Sequence, residues 1–269
     1  MCGDSLDARN LDRLLQGKLA HLVFCDPPYN LAANDITHQE QHEDFVMAAG
    51  EMSKTQFIDF LKKYMQNCYQ YSIDGSIHYH CMDWRHIEEI VIAGKEVYTE
   101  DGYKNLCVWA KDVPGMGAFY RSQHELVFLF KKGNAKHTVN FGFTAATEEL
   151  KSRVRSNIWK YAGQNSFAGK NDEGLNYGYN MKLGVTIARD RVHAHPTPKP
   201  LDLVIDAILD CSNENENIFD LFGGSGTTLI AAEKAGRNAF LMEYEEKYCN
   251  YILHRWEKLS GKEALRVDL

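Results

Sequence analysis

Short apolar runs alternate along this chain with longer stretches whose apolar residues recur at helical spacing. The first run, His21-Leu22-Val23-Phe24-Cys25, reads as a buried strand. A polar loop without strong periodicity occupies residues 30–52. Ser53 then stands as the N-cap of a helix through Tyr71, with Phe57, Leu61, Tyr64, Met65 and Cys68 on one face. Residues 75–81 predict a second strand, and 83–97 a helix with Ile87, Ile90 and Val91 in register. Two further strands, 105–111 and 124–131, flank a segment bearing Pro114, Gly115 and Gly117 and read as a long hairpin at the sheet edge.

From 132 to 195 the rhythm stops. Basic residues give way to a Gly- and Asn-rich stretch, 163–184, with few aliphatics, which reads as an insertion built from loops. The pattern returns at Pro200, suited to the first turn of a helix carrying Leu201, Val204, Ile205, Ile208 and Leu209. A strand at 217–220, a helix at 227–234 closed by Gly236, a strand at 239–242 and a helix at 245–259 follow. Such alternation predicts an α/β fold, a mostly parallel sheet with helices on both faces. The chain then divides into one half of a domain at 1–131, the insertion at 132–195, and the other half at 196–269.

A chain of 269 residues suffices for one large α/β domain. It has no apolar run of membrane-spanning length and no signal-peptide pattern. Its seven cysteines are scattered, with no Cys-x-x-Cys pair, which points to reduced core residues of a cytoplasmic protein rather than to zinc or disulfides. The net charge of −7 speaks against generic nucleic-acid coating. Its distribution changes that picture: residues 131–200 hold twelve Lys and Arg against five Asp and Glu, leaving −14 elsewhere. This asymmetry can set a phosphate-contacting face on an acidic body.

Chemistry concentrates at Asp26-Pro27-Pro28-Tyr29-Asn30, at the carboxyl end of the first strand, where open α/β sheets bind ligands. An exocyclic amine of adenine or cytosine is a poor nucleophile because its lone pair is delocalised into the ring. Two fixed acceptors favour its rehybridisation and stabilise the positive charge that develops on attack. The Asp26 carboxylate and the Pro27 carbonyl can supply them, Pro27 and Pro28 stiffen the backbone, and Tyr29 offers a stacking face. Taken alone, the motif also fits a proline turn.

Residues 220–228, Asp-Leu-Phe-Gly-Gly-Ser-Gly-Thr-Thr, join a strand to a helix. Glycines there let backbone approach a ligand, and the helix start offers unpaired amides. The loop is neither a Walker loop nor a complete dinucleotide fingerprint. Glu243, ending the next strand, can accept hydrogen bonds from two ribose hydroxyls, so together they describe a nucleoside pocket.

Asp-Pro-Pro-Tyr at 26–29, His-Pro-Thr-Pro-Lys-Pro at 195–200 and the glycine loop occur in that order. The chain thereby resembles the β group of S-adenosylmethionine-dependent amino-group DNA methyltransferases over nearly its whole length. The resemblance implies a circularly permuted Rossmann-like methyltransferase fold, S-adenosyl-L-methionine as cofactor, and double-stranded DNA as substrate, with the target base flipped out. The Asp-Pro-Pro-Tyr form implies adenine N6, with cytosine N4 as the alternative; a silent DNA-binding module and a nicotinamide-dependent oxidoreductase remain open. Residues 75–111, 120–130 and 157–163 resemble the methylase part of bacterial proteins that also carry a ParB-like domain, a domain this chain lacks. Asp26, Pro27, Pro28 and Tyr29 would be catalytic. Cofactor contacts would come from Asp4, Cys25, Lys199, Pro200, Asp220, Phe222, Gly223, Gly224, Ser225, Gly226, Thr227 and Glu243. Asn30, Tyr120, Lys151, Arg153, Arg155 and Lys160 would meet DNA. The family's Gly-Asp motif, Gly3-Asp4 here, usually follows a strand, whereas only Met1 and Cys2 precede it, so the chain starts late or lacks an edge strand. A bacterial or phage-encoded enzyme, possible as a homodimer and with a cognate restriction enzyme, is the implied setting.

Other candidates are set aside. His38 and His42 lack the Glu placement of a zinc helix, so no metal is expected. Trp84 and Trp109 read as packing residues, and 120–125 precedes a strand on the pocket side, where Tyr120 can close over a base.

Overall fold

The computed structural model describes residues 1–31, 48–115, 119–140, 155–162, 176–180, 185–189 and 198–267. Its centre is strand β1 (Ala20–Cys25), buried along almost its whole length as the apolar run demands. Successive side chains alternate faces. Val23 and Cys25 join one core, with Leu11 and Leu15 of helix α1 (Ala8–Leu15) and Phe57, Leu61 and Tyr64 of helix α2 (Lys54–Gln70). Leu22 and Phe24 join the opposite core, with Leu203 and Val204 of helix α4 (Leu201–Cys211) and Ala231 and Ala232 of helix α5 (Thr227–Ala235). Helix α3 (Ile87–Tyr98) adds Ile90 and Ala93 to the first core.

The remaining strands of the main sheet are β2 (Ser72–Met82), β3 (Tyr103–Ala110), β4 (His124–Lys131), β5 (Ile158–Lys160), β8 (Asn217–Asp220) and β9 (Asn238–Leu241). They lie in the order β5-β3-β4-β2-β1-β8-β9, and only β4 runs against the rest. A separate antiparallel hairpin pairs β6 (Asn176–Asn180) with β7 (Val185–Arg189). The chain closes with helix α6 (Glu246–Ser260). Among the described residues no helix is long and apolar enough to cross a membrane.

The α/β architecture holds, and local signals explain most boundaries. Ser53 caps α2 through a full capping box with Gln56, and Gly236 ends α5 in the left-handed region at φ 69°. Pro200 stands one residue earlier than expected, as the N-cap of α4. Three features depart from the sequence reading. The β3–β4 hairpin forms, but β5 covers its outer strand, so the hairpin is not the edge. The insertion is not loops alone, since β5 belongs to the main sheet and β6–β7 form a hairpin. The third is at the N-terminus, where Cys2 makes a single parallel bridge to Glu243, with Gly3 N donating to Glu243 O at 2.9 Å and Glu243 N to Met1 O at 3.0 Å. This short extension beside β9 sets Gly3-Asp4 at the same sheet end as Asp26.

Candidate active site

β1 and β8 are parallel neighbours, with Val23 opposite Phe219, so Asp26 and Asp220 leave the sheet side by side. The crossover from β1 to β2 runs through α2 on one face, and that from β8 to β9 through α5 on the other. Diverging crossovers open a crevice at the carboxyl ends of the strands. A cavity of about 360 Å³ lies there, lined by the whole 26–29 quartet and by Asp4, Lys199, Asp220 and Glu243. Its size falls within the range of small-molecule sites.

On the β8–β9 side the glycine loop is fixed by its own backbone. Gly223 N donates to Met242 O at 2.8 Å, and Gly226 N to Gly223 O at 2.7 Å. The Glu243 carboxylate accepts Gly224 N at 2.7 Å on one oxygen and Glu245 N at 2.9 Å on the other. A carboxylate offers about four lone-pair sites, so acceptor capacity is left for a hydroxyl donor. Burial raises the pKa of Glu243. Burial also pushes Asp220 up to about 8, against the hydrogen bonds it accepts from Thr228 and from Phe222 N. Buried Arg255 of α6 donates to Ser225 O at 2.8 Å and braces the loop from behind.

On the β1 side Asp26 is held by two donors. Tyr29 OH reaches Oδ1 at 2.5 Å, and Lys199 Nζ reaches Oδ2 at 2.6 Å while lying 5.4 Å from the Tyr29 ring centroid. Lys199 also stands 3.0 Å from Glu125 Oε2, and Lys111 pairs with Glu125 Oε1 at 2.7 Å. Burial raises the Asp26 pKa, opposed by the Lys199 charge. Burial would likewise raise Glu125, but Lys199 and Lys111 outweigh it and hold this carboxyl at about 2. Burial would depress the Lys199 ammonium; its two carboxylates reverse that and raise its pKa.

The structure therefore brings together Asp4, the quartet, Lys199, Asp220, Phe222, Gly223, Gly224, Ser225, Thr227 and Glu243. Other expected contacts lie elsewhere. Cys25 is fully buried behind the loop, 4.0 Å from Cys68 Sγ, because the last β1 side chain on that face points into the core. Pro200 and Gly226 do not line the cavity. Gly226 is required for another reason than ligand approach: its φ is 79°, and a Cβ there would stand 3.0 Å from Ile252 of α6.

Of the expected DNA contacts, Asn30 spends its side chain on the backbone of 50–52, accepting from Gly50 N and Met52 N and donating to Met52 O at 2.9 Å. Arg155 is a strut, not a free phosphate ligand. It pairs with Asp210 at 2.5 Å, donates to Tyr161 OH at 2.7 Å and stacks over Trp159. Tyr120 is 90% exposed and off the cavity. Lys160 is exposed on β5 beside Ala110, at the cavity end of the sheet. Lys151, Arg153, His38 and His42 lie outside the described residues.

Trp84, Glu125 and Lys111 line the cavity without having been expected there. Trp109 packs in the core as expected, but Trp84 is 48% exposed, lines the cavity and carries Arg85 over its ring at 5.4 Å. Its place directly after β2, at a strand's carboxyl end, was the available signal. Glu125 and Lys111 sit at the same end of β4 and β3, and the pocket-side segment 120–125 contributes Glu125 in place of Tyr120.

A family model described as DNA methylase, of the N6/N4 type, matches residues 20–254. The chain belongs to this DNA methylase family. Among curated relatives, the type II methyltransferase M1.MboII of Moraxella bovis is 27% identical, over 95% of each chain. The DNA adenine methyltransferase YhdJ of Escherichia coli (strain K12) is 26% identical over 90% of this chain and 78% of its own. The solved PvuII DNA methyltransferase, described as cytosine-N4-specific, shares the fold of this methylase with a TM-score of 0.62. It is 16% identical to it, over 97% of this chain and 89% of its own.

Proposed function

We propose that this methylase transfers a methyl group from S-adenosyl-L-methionine to N6 of an adenine flipped out of double-stranded DNA. One observation carries the reading. A quartet suited to an exocyclic amine and a glycine loop with a half-buried ribose-type acid open into one cavity. The residues fit the cofactor: Glu243 lines the cavity with acceptor capacity left, and Asp4, Phe222, Gly223, Gly224, Ser225 and Thr227 line it too. When bound, that cofactor supplies an electrophilic methyl. Asp26 and the Pro27 carbonyl accept the amine hydrogens and favour its tetrahedral form, and Asp26 stabilises the charge that develops. The proton leaves after transfer, so no strong base is needed. Tyr29 and Trp84 offer aromatic faces for the base, and flipping brings the amine within reach.

In the same reading 1–131 is the catalytic half and 196–269 the cofactor half, with 132–195 meeting the DNA. Lys160, Lys151 and Arg153 contact phosphates. Seven free cysteines, five of them buried, fit a reducing cytoplasm. The likeness to a protein named a type II methyltransferase supports a search for a cognate restriction enzyme. Sedimentation tests the homodimer.

The test is methyl transfer to duplex DNA followed by digestion to nucleosides. N6-methyladenine is expected; N4-methylcytosine alone would overturn the base assignment. Asp26→Asn keeps the shape and removes the charge. It should lower kcat by roughly a hundredfold to a thousandfold while cofactor and DNA still bind.

A further inference from the structure

The target amine needs the Asp26 carboxylate, yet Asp26 already accepts from Tyr29 OH at 2.5 Å and from Lys199 Nζ at 2.6 Å. A carboxylate oxygen has two lone pairs, so geometry alone does not exclude a third donor. Charge is the obstacle. Methyl transfer makes the amine cationic, and a buried ammonium on the same carboxylate cancels the field that should stabilise that cation. Nor can the ammonium be left alone, since its side chain is only 6% exposed and an unpaired buried charge is strongly unfavourable.

Glu125 resolves both difficulties. It opens β4, lines the cavity, and stands with Oε2 at 3.0 Å from the same Lys199 Nζ. That oxygen is buried and completes no hydrogen bond among the described residues, although the Lys199 ammonium already stands at ion-pair distance from it. The other oxygen is fixed by Lys111 at 2.7 Å. One acceptor is anchored, and its twin already shares, at 3.0 Å, the ammonium that must move.

We propose that Glu125 is a positioning residue for methyl transfer, taking the Lys199 ammonium from Asp26 when the target amine docks. Lys199 then keeps a carboxylate partner throughout, and Asp26 presents its full negative charge to the amine. Asp26, Glu125, Lys199 and Lys111 sum to zero charge, so the exchange redistributes charge within the site without creating any. The inference rests on the proposed amine methylation but not on which base carries the amine.

The experiment measures single-turnover transfer of labelled methyl to duplex DNA by the full chain, with cofactor and DNA saturating. Cofactor affinity and thermal midpoint are measured beside it. Glu125→Gln is expected to slow transfer roughly tenfold to a hundredfold, less than loss of a direct charge stabiliser. Its cofactor Kd should stay within about twofold, because Glu125 acts through Lys199 on the amine side. Glu125→Asp, which keeps the charge, should recover most of the rate. Lys111→Gln leaves Glu125 charged but unanchored and should cost roughly two- to fivefold, the scale of a partly exposed pair. Should Glu125→Gln fail to fold, Lys111→Gln decides: a wild-type rate in that variant would overturn the proposal. Wild-type transfer by Glu125→Gln would overturn it too. So would a rate loss that follows cofactor affinity or thermal midpoint and is not recovered by Asp, since that marks a merely structural role. A wild type that methylates neither adenine nor cytosine overturns the function and this inference together; an active wild type with an unaffected variant overturns the inference alone.

Discussion

Gly226 meets two demands at once, a left-handed φ of 79° and contact with Ile252, whereas Gly236 meets only the first, at φ 69° with nothing near a Cβ. The pair separates conformation from packing. Gly236→Ala should cost about 1–2 kcal/mol, the penalty of the left-handed region. Gly226→Ala should cost more, roughly 2–4 kcal/mol, as Ile252 must also give way. It should weaken cofactor binding as well, because the loop is braced by Arg255 and cannot shift freely. Urea unfolding and cofactor titration of both variants check this; equal costs would remove the packing argument. The same scale shows what a sequence discloses about a site. Asp26, Asp220 and Glu243 were legible because they stand at the carboxyl ends of predicted strands beside a Pro-Pro turn or a glycine loop, and Lys199 through the family resemblance. Arg155, Asn30 and Cys25 were not, because each is decided by a partner distant in sequence: Asp210, the backbone of 50–52, and Cys68. A basic residue reads as a phosphate ligand until its carboxylate is known.

Among elements, those with strong periodicity or a marked end were legible, since the signal is local. Helix α2 is the clearest case, a capping box followed by Phe57, Leu61, Tyr64 and Met65 on the buried side. Ser53→Ala should remove about 0.5–2 kcal/mol of stability. Because the cap lies on the helix and not in the cavity, methyl transfer at 25 °C should be unchanged; a loss of rate matching the loss of stability would link the cap to the site. Strand β5 shows the opposite situation. Three residues, with Trp159 buried between exposed Ile158 and Lys160, carry too little pattern, and their pairing to β3 spans about fifty positions. Its placement depends on Arg155 and Tyr161, which tie this segment to Asp210 and Asp206 of α4. Helix α1 was also missed, eight residues being too few for a periodic signal, although Asp7 caps it and Leu11 and Leu15 are buried.

For the whole molecule, the buried titratable groups set opposing dependences of stability on pH. His78 and His80 are fully buried in a network with Ser76, Tyr64 and Tyr98, and burial lowers both pKa values, His80 to about 3. Below the unfolded value of about 6.5 the unfolded chain binds two protons that the folded chain refuses. Stability from this pair is present above that pH and falls as the solution is acidified. Asp220 acts in the other direction. Burial raises it to about 8, so between its unfolded value and that pH the folded chain holds a proton the unfolded chain has lost. Its contribution falls as pH rises and stops changing above pH 8. Well below 6.5, two protons against one give a net slope approaching about 1.4 kcal/mol per pH unit, rising with pH; between there and 8, Asp220 alone approaches the same slope, falling. The combined contribution of these three groups is therefore greatest near pH 6.5. Asp220→Asn should remove the falling limb that this carboxyl contributes between about pH 7 and 8. Urea unfolding at constant ionic strength between pH 5.5 and 8.5 reads both limbs, and an Asp220→Asn profile with the same shape as wild type would show that Asp220 is ionised in the folded protein.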